Sequence, residues 1–284
     1  MEQNPQIERN FIELSKRAHF IGSRTGIFEE DCTDRLDFYM QNAGVKTAVT
    51  PANHELFTPS CALIYPDDRA NDGFEFIIAS CESEAIINTI FGFVRSAGLE
   101  YRGKLSRVNV WDKGAVAQLE LDFDFGDVIF FDENFIAKRE HYTQDMECAA
   151  RIYLLAYGAE NHKDKIVELE VTEANKEMFP ESQIGDVQQL HTGEMRAFVG
   201  DLEGGDIDEY ELIGKINAIR KIRLETFGKE AYICTIDAFH DGFDEHILDF
   251  EVVIMEDVWR EKDPPQMDAF IWAKGYFGGE IVSV

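Results

Sequence analysis

Gly103-Lys104-Leu105-Ser106-Arg107-Val108-Asn109-Val110 and, further along, Gly214-Lys215-Ile216-Asn217-Ala218-Ile219-Arg220-Lys221-Ile222 are the stretches on which the fold turns. Each opens on Gly-Lys and continues in strand-like alternation. The segments downstream of the two share one order. After the first stand Ala115–Phe123, Val128–Phe131, a charged excursion and Ala149–Gly158; after the second stand Ala231–Ala238, Ile247–Met255, a charged excursion and Ala269–Gly279. Similarity at this scale marks a repeated unit. A long first strand, two more strands, a polar crossover and a Gly-ended closing strand predict two related antiparallel β-barrel-like units, with an OB-like form among them. Such units leave few exposed edges.

Between the copies, Lys165–Val171 and Gly193–Val199 alternate as strands and are expected to extend the second unit, while 180–186 and 200–210 read as loops. The residues before the first copy mix helix and strand. Ile7, Phe11, Leu14 and Ala18 share a helical face. Glu29–Ala43 reads as a second helix, with acids in its first turn and Gly44 at its stop. Cys61–Tyr65 and Phe74–Ala79 predict a hairpin around a turn-rich loop, and Ser83–Ala97 predicts a buried helix ended by Gly98. The fold class is therefore α+β. A mixed N-terminal unit at 1–99 precedes a first β-rich repeat at 100–163 and a larger, more acidic β-rich unit at 164–284.

Charge narrows the function classes. With 55 acidic against 27 basic residues the chain carries −28, a field that repels nucleic-acid phosphates and anionic lipid and attracts basic proteins. The excess is uneven, since 164–284 holds 28 of the acids but 11 of the bases. Five scattered cysteines, with no CxxC pair, fit thiols in a reducing cytoplasm. The first residues lack the basic and apolar regions of a secretory signal, and no stretch is apolar over the length a membrane-spanning helix needs.

The densest charge is the run Asp201, Glu203, Asp206, Asp208, Glu209 and Glu211, read as a solvated loop able to dock a basic partner. A divalent cation is the lesser alternative there, because the spacing misses the EF-hand pattern, and no other cofactor is called for. Lys215, Arg220, Lys221 and Arg223 come directly after and are expected to pair with that loop. His141, His162, His191, His240 and His246 show no metal-binding spacing, and read as surface histidines. No nucleophile elbow or phosphate loop occurs, so no catalytic residue is assigned. Trp259, Trp272, Tyr276 and Phe277 read as core. The function expected from these features is a non-enzymatic acidic protein that binds a basic protein surface, as an inhibitor, immunity-type or assembly factor would. A hydrolase with a loop-borne carboxylate/His site and a self-associating structural module are the alternatives.

Overall fold

A computed structural model describes residues 11–13, 33–49, 60–81, 84–111, 115–123, 126–200, 207–240 and 246–283. The chain is 63% strand with few helices, a β-rich α+β fold. β1 (Phe11–Glu13) pairs in parallel with Val108–Val110 of β6 (Leu99–Trp111). This corrects the helical reading at Phe11; Ile7, Leu14 and Ala18 lie outside the described residues. α1 (Thr33–Asn42) falls within the expected second helix. β2 (Gly44–Val49), β3 (Ser60–Tyr65), β4 (Asp72–Cys81) and β5 (Glu84–Val94) then form a four-stranded antiparallel sheet.

The β3–β4 hairpin is the one the turn-rich loop predicts. β5 overturns the helix expected at 83–97. Its apolar run is short enough to satisfy either period, and its β-branched and aromatic residues favour the extended chain, which β4 pairs from Asp72↔Val94 to Cys81↔Glu84.

The remaining long strands form one sheet. β6, β7 (Val116–Phe123), β8 (Gly126–Asp132) and β9 (Met146–Asn161) come from the first predicted repeat, with the short α2 (Phe135–Lys138) between β8 and β9. β10 (Ile166–Glu170), β11 (Val187–His191) and β12 (Ala197–Gly200) lie between the repeats. β13 (Glu209–Leu224), β14 (Lys229–His240), β15 (His246–Met255) and β16 (Phe270–Ser283) come from the second. Pairings run β6–β7–β8–β16–β9 and return to β6. They also run β13–β14–β15–β9–β16 and return to β13. Each circuit thus borrows a strand from the other repeat, and residues 100–163 and 164–284 share one hydrogen-bonded sheet.

The register repeats as well as the order. β6 shifts against β7 between Leu105 and Arg107, and β13 shifts against β14 between Ile216 and Ala218. The crosswise parallel pairs match too, Phe131 with Gly278 in one circuit and Val253 with Leu155 in the other. Gly103 and Gly214 precede the two shifts, and a Cβ on either would collide with a carbonyl oxygen across the strand, that of Asp122 or of Asp237. Of the segments expected to extend the second unit, β12 does so by pairing with β13. β10 does not, because its hydrogen bonds go to β11 in a separate two-stranded sheet.

Two apolar cores result. One fills the circuits and includes Leu119, Phe130, Leu154, Ile236, Phe250 and Phe277. The other lies where the four-stranded sheet covers the large one, joining Phe74, Phe76 and Phe91 to Phe131, Tyr153, Val253 and Tyr276. Burying such side chains contributes about 1.5–3 kcal/mol each. Asp72 fastens the same contact by accepting backbone N–H groups of Glu225 at 3.1 Å and Thr226 at 2.9 Å. Trp259, Tyr276 and Phe277 are buried, as the core reading of the aromatic cluster expects, whereas Trp272 is only half-buried. No helix among the described residues is long and apolar enough to cross a membrane.

Candidate functional site: a carboxylate-lined cleft between the sheets

Where β4 and β5 face the ends of β8 and β16, a cleft of about 260 Å³ is lined by Asp68, Glu75, Phe93, Arg95, Glu133, Asn134 and Glu280. Local structure places each group. Asp68 sits in the β3–β4 loop, Glu75 is a buried residue of β4, and Glu133 and Asn134 come just after the last residue of β8. Glu280 comes from β16, whose backbone holds this corner through the Glu133 N–H on the Gly279 carbonyl at 2.9 Å.

The carboxylates are held in place by neighbours. Tyr153 donates its hydroxyl to Glu133 Oε1 at 2.5 Å and accepts the Val94 N–H at 3.2 Å, so one phenol links both sheets to the cleft. Burial and then the Glu133 charge hold the Tyr153 phenol well above its ordinary range, and it remains a proton donor. Glu280 accepts from Asn134 and Arg151, with Lys138 Nζ 3.9 Å away. Beneath the rim, Asp132 is buried and accepts the Tyr142 hydroxyl at 2.5 Å and the Asn134 N–H at 2.9 Å. Burial raises its carboxyl to about 6 despite those bonds.

Arg95 is the lining base. Its guanidinium donates to the carbonyls of Asp68 and Ala70 and lies over the Phe93 ring, 4.6 Å from the centroid. Arg95 keeps its charge and Glu280 is paired with Arg151, so the sign of the cleft is set by Asp68, Glu75 and Glu133, which outnumber Arg95.

The described half of the acidic run departs from its reading as a docking loop. Asp201, Glu203 and Asp206 lie outside the described residues. Asp208 and Glu209 are buried: Gln118 donates to Asp208 Oδ2 at 3.2 Å, and the Tyr157 hydroxyl donates to Glu209 Oε1 at 3.1 Å. Glu211 receives the Trp272 indole N–H at 3.1 Å and Lys274 Nζ at 3.4 Å.

Lys215, Arg220, Lys221 and Arg223 are paired elsewhere than with that run. They meet Asp268 at 2.7 Å, Glu251 at 2.7 Å, Glu256 at 3.3 Å and Glu230 at 3.0 Å respectively. The reason is register, since Arg223 stands opposite Glu230 on β14 and cross-strand neighbours meet before a loop can. His191 Nδ1 lies 3.2 Å from Asp164 Oδ2 on an exposed turn, where the histidine contact comes first among the causes lowering the Asp164 carboxyl. His162 Nε2 meets the Thr192 carbonyl at 2.7 Å, and His141 is exposed. No histidine lines the cleft.

Among the described residues no three His, Cys, Asp or Glu side chains converge as a metal site. Sequence reasoning missed the cleft because its four carboxylates come from distant parts of the chain with no spacing to mark them. The Asp132-Glu133 pair closing β8 is the one local signal. No protein-family model matches the sequence, and no curated protein and no solved structure matches it.

Proposed function

We propose that the chain is a non-enzymatic binding protein that recognises a basic partner protein, and that the cleft receives one cationic side chain of that partner. The observation that carries this reading is the lining itself, where four carboxylates, one of them (Glu280) paired with Arg151, stand against one lining base, Arg95. Size supports it as well. At about 260 Å³ the cleft falls below the roughly 300–1,000 Å³ usual for small-molecule sites, and it suits the end of an arginine or lysine. The charge of −28 would steer such a partner and make capture salt-sensitive.

The hydrolase alternative draws less support. Asp132 is closed off under Tyr142, and burial pushes the Cys148 thiol up to about 11, the reverse of an activated nucleophile. A reducing, cytoplasmic setting accords with the free thiols Cys61, Cys148 and Cys234.

The same proposal includes the fold's origin. The two strand circuits are barrel-like halves of a duplicated unit, and the repeated register shifts and reciprocal parallel pairs support this.

Capture from cell extract tests the binding role. The immobilised chain is expected to retain a basic protein at about 50 mM salt and release it at about 300 mM, and an Asp68→Asn/Glu133→Gln variant is expected to retain much less. Equal retention by the variant, or retention indifferent to salt, would overturn the reading.

A further inference from the structure

The two halves differ at one matching place. In the second half, β13 pairs with β16 over Glu209–Lys215 and with β14 over Lys215–Leu224, so the strands part near Gly214. β12 fills the gap, pairing antiparallel with β13 from Ala197↔Ile213 to Gly200↔Tyr210. Arg196, just before β12, places Nε 3.0 Å from Asp237 Oδ2 and stacks over the Phe270 ring at 5.3 Å. Phe198 points inward, stacked on Tyr210 with centroids 4.8 Å apart.

In the first half, β6 pairs with β9 over Leu99–Leu105 and with β7 over Lys104–Trp111, parting near Gly103 in the same way. Among the described residues this gap has no counterpart of β12. No described strand pairs with the second edge of Leu99–Arg102, and a cavity of about 540 Å³ lies beside it, lined by Arg102, Lys104, Asp122, Phe123, Glu147 and Cys148 among others. Asp122 holds the position that Asp237 holds in the other half, with its carbonyl over the equivalent glycine. Where Asp237 is buried under Arg196, Asp122 is exposed. The inward space is taken by Tyr101 and Phe123, whose rings lie 6.0 Å apart. An occupant would therefore supply backbone and a cation, without the aromatic ring that Phe198 provides.

We propose that this gap takes an extended, arginine-bearing segment of the basic partner, added as a strand to the Leu99–Arg102 edge of β6 with its arginine on Asp122. The segment repeats between molecules what Arg196 and β12 do within this one, and main-chain hydrogen bonds supply the affinity as in other strand additions. Exposed Glu100, Asp122 and Glu147 interleave with Arg102 and Lys104, and the chain's net charge tips the local balance toward a cationic segment. The inference rests on the proposal of a basic protein partner and gives that partner a second point of contact.

The test is an NMR titration of the full chain with the peptide acetyl-Thr-Val-Arg-Val-Thr-amide, its Arg-to-Glu counterpart and a form N-methylated on alternate residues. Saturable shifts are expected on the amides of 99–103 and Asp122, with affinity falling roughly tenfold for Asp122→Lys and for the Glu peptide, and disappearing for the N-methylated form. Asp122 is exposed, so the variant is expected to fold as the native chain does. Shifts elsewhere, no binding because the chain's own residues already fill the gap, or equal binding by the N-methylated peptide would each overturn the inference. Partner capture sensitive to Asp68 and Glu133, together with no shift here, would overturn this inference alone. Loss of both would overturn the binding role too.

Discussion

Gly214 holds in β13 the place that Gly103 holds in β6: each faces the carbonyl oxygen of an aspartate one strand away, and each precedes a register shift at the same distance along its strand. Neither position has room for a side chain. Gly103→Val and Gly214→Val are therefore expected to destabilise the chain by similar amounts, about 1–3 kcal/mol each, read from urea unfolding. One tolerated and one damaging substitution would break the equivalence of the halves.

Asp132 sets a pH dependence. Its carboxyl rises from 3.8 to about 6 on folding, so the folded state binds the proton more tightly than the unfolded one. Its contribution to stability is full below about pH 3.8 and is lost as pH rises through about 6; by neutral pH the loss is roughly 3 kcal/mol before any relaxation is allowed for. Asp132→Asn keeps an acceptor for the Asn134 N–H and removes the titration. The variant is expected to be more stable than the native chain at pH 7 and less sensitive to pH between about 4 and 6. Identical unfolding curves at both pH values would contradict this assignment.

The filled gap of the second half is expected to depend on its plug. Phe198→Ala removes a half-buried ring in contact with Tyr210, Phe250 and Phe277 and is expected to cost about 1–3 kcal/mol, less than a fully buried ring. Arg196→Ala leaves the buried Asp237 carboxylate without its ion pair and is expected to cost a few kcal/mol. Hydrogen exchange checks both, with protection expected to fall first along β12. Unchanged protection there would show that β12 is held by other contacts.

Tyr153 joins the cleft to the cover sheet. Tyr153→Phe strips the Val94 N–H and Glu133 of their shared hydroxyl and is expected to cost about 1–3 kcal/mol. In a double-mutant cycle with Glu133→Ala, which removes the acceptor, a coupling near zero would mean that the hydroxyl serves Val94 alone.

Much of the architecture is legible in local patterns. Alternation marks β3 and β13, the order of apolar segments marks the other strands of the two stretches compared, and the acids before Leu36 with Gly44 after Ala43 mark α1. β5 is not legible because Thr89–Val94 are buried in succession, and a strand buried on both faces has no period of two to display. The sharing of β9 and β16 between the circuits leaves no trace, since parallel pairs such as Phe131–Gly278 join residues far apart in the chain. The acidic run shows its density but not its burial. Asp208, just before β13, and Glu209, its first residue, are turned inward, a tertiary effect beyond the reach of composition. The cleft is invisible for the same reason, because Asp68, Glu75, Glu133 and Glu280 become neighbours only when the two sheets meet.

The most direct test of the binding role is calorimetric titration of the captured basic partner into the native chain and into Glu133→Gln, at two ionic strengths. Gln keeps the acceptor for the Tyr153 hydroxyl while removing one cleft charge. The account predicts a Kd roughly tenfold weaker for the variant, a smaller salt dependence and an unchanged Tm; an unchanged Kd with the same salt dependence would contradict it.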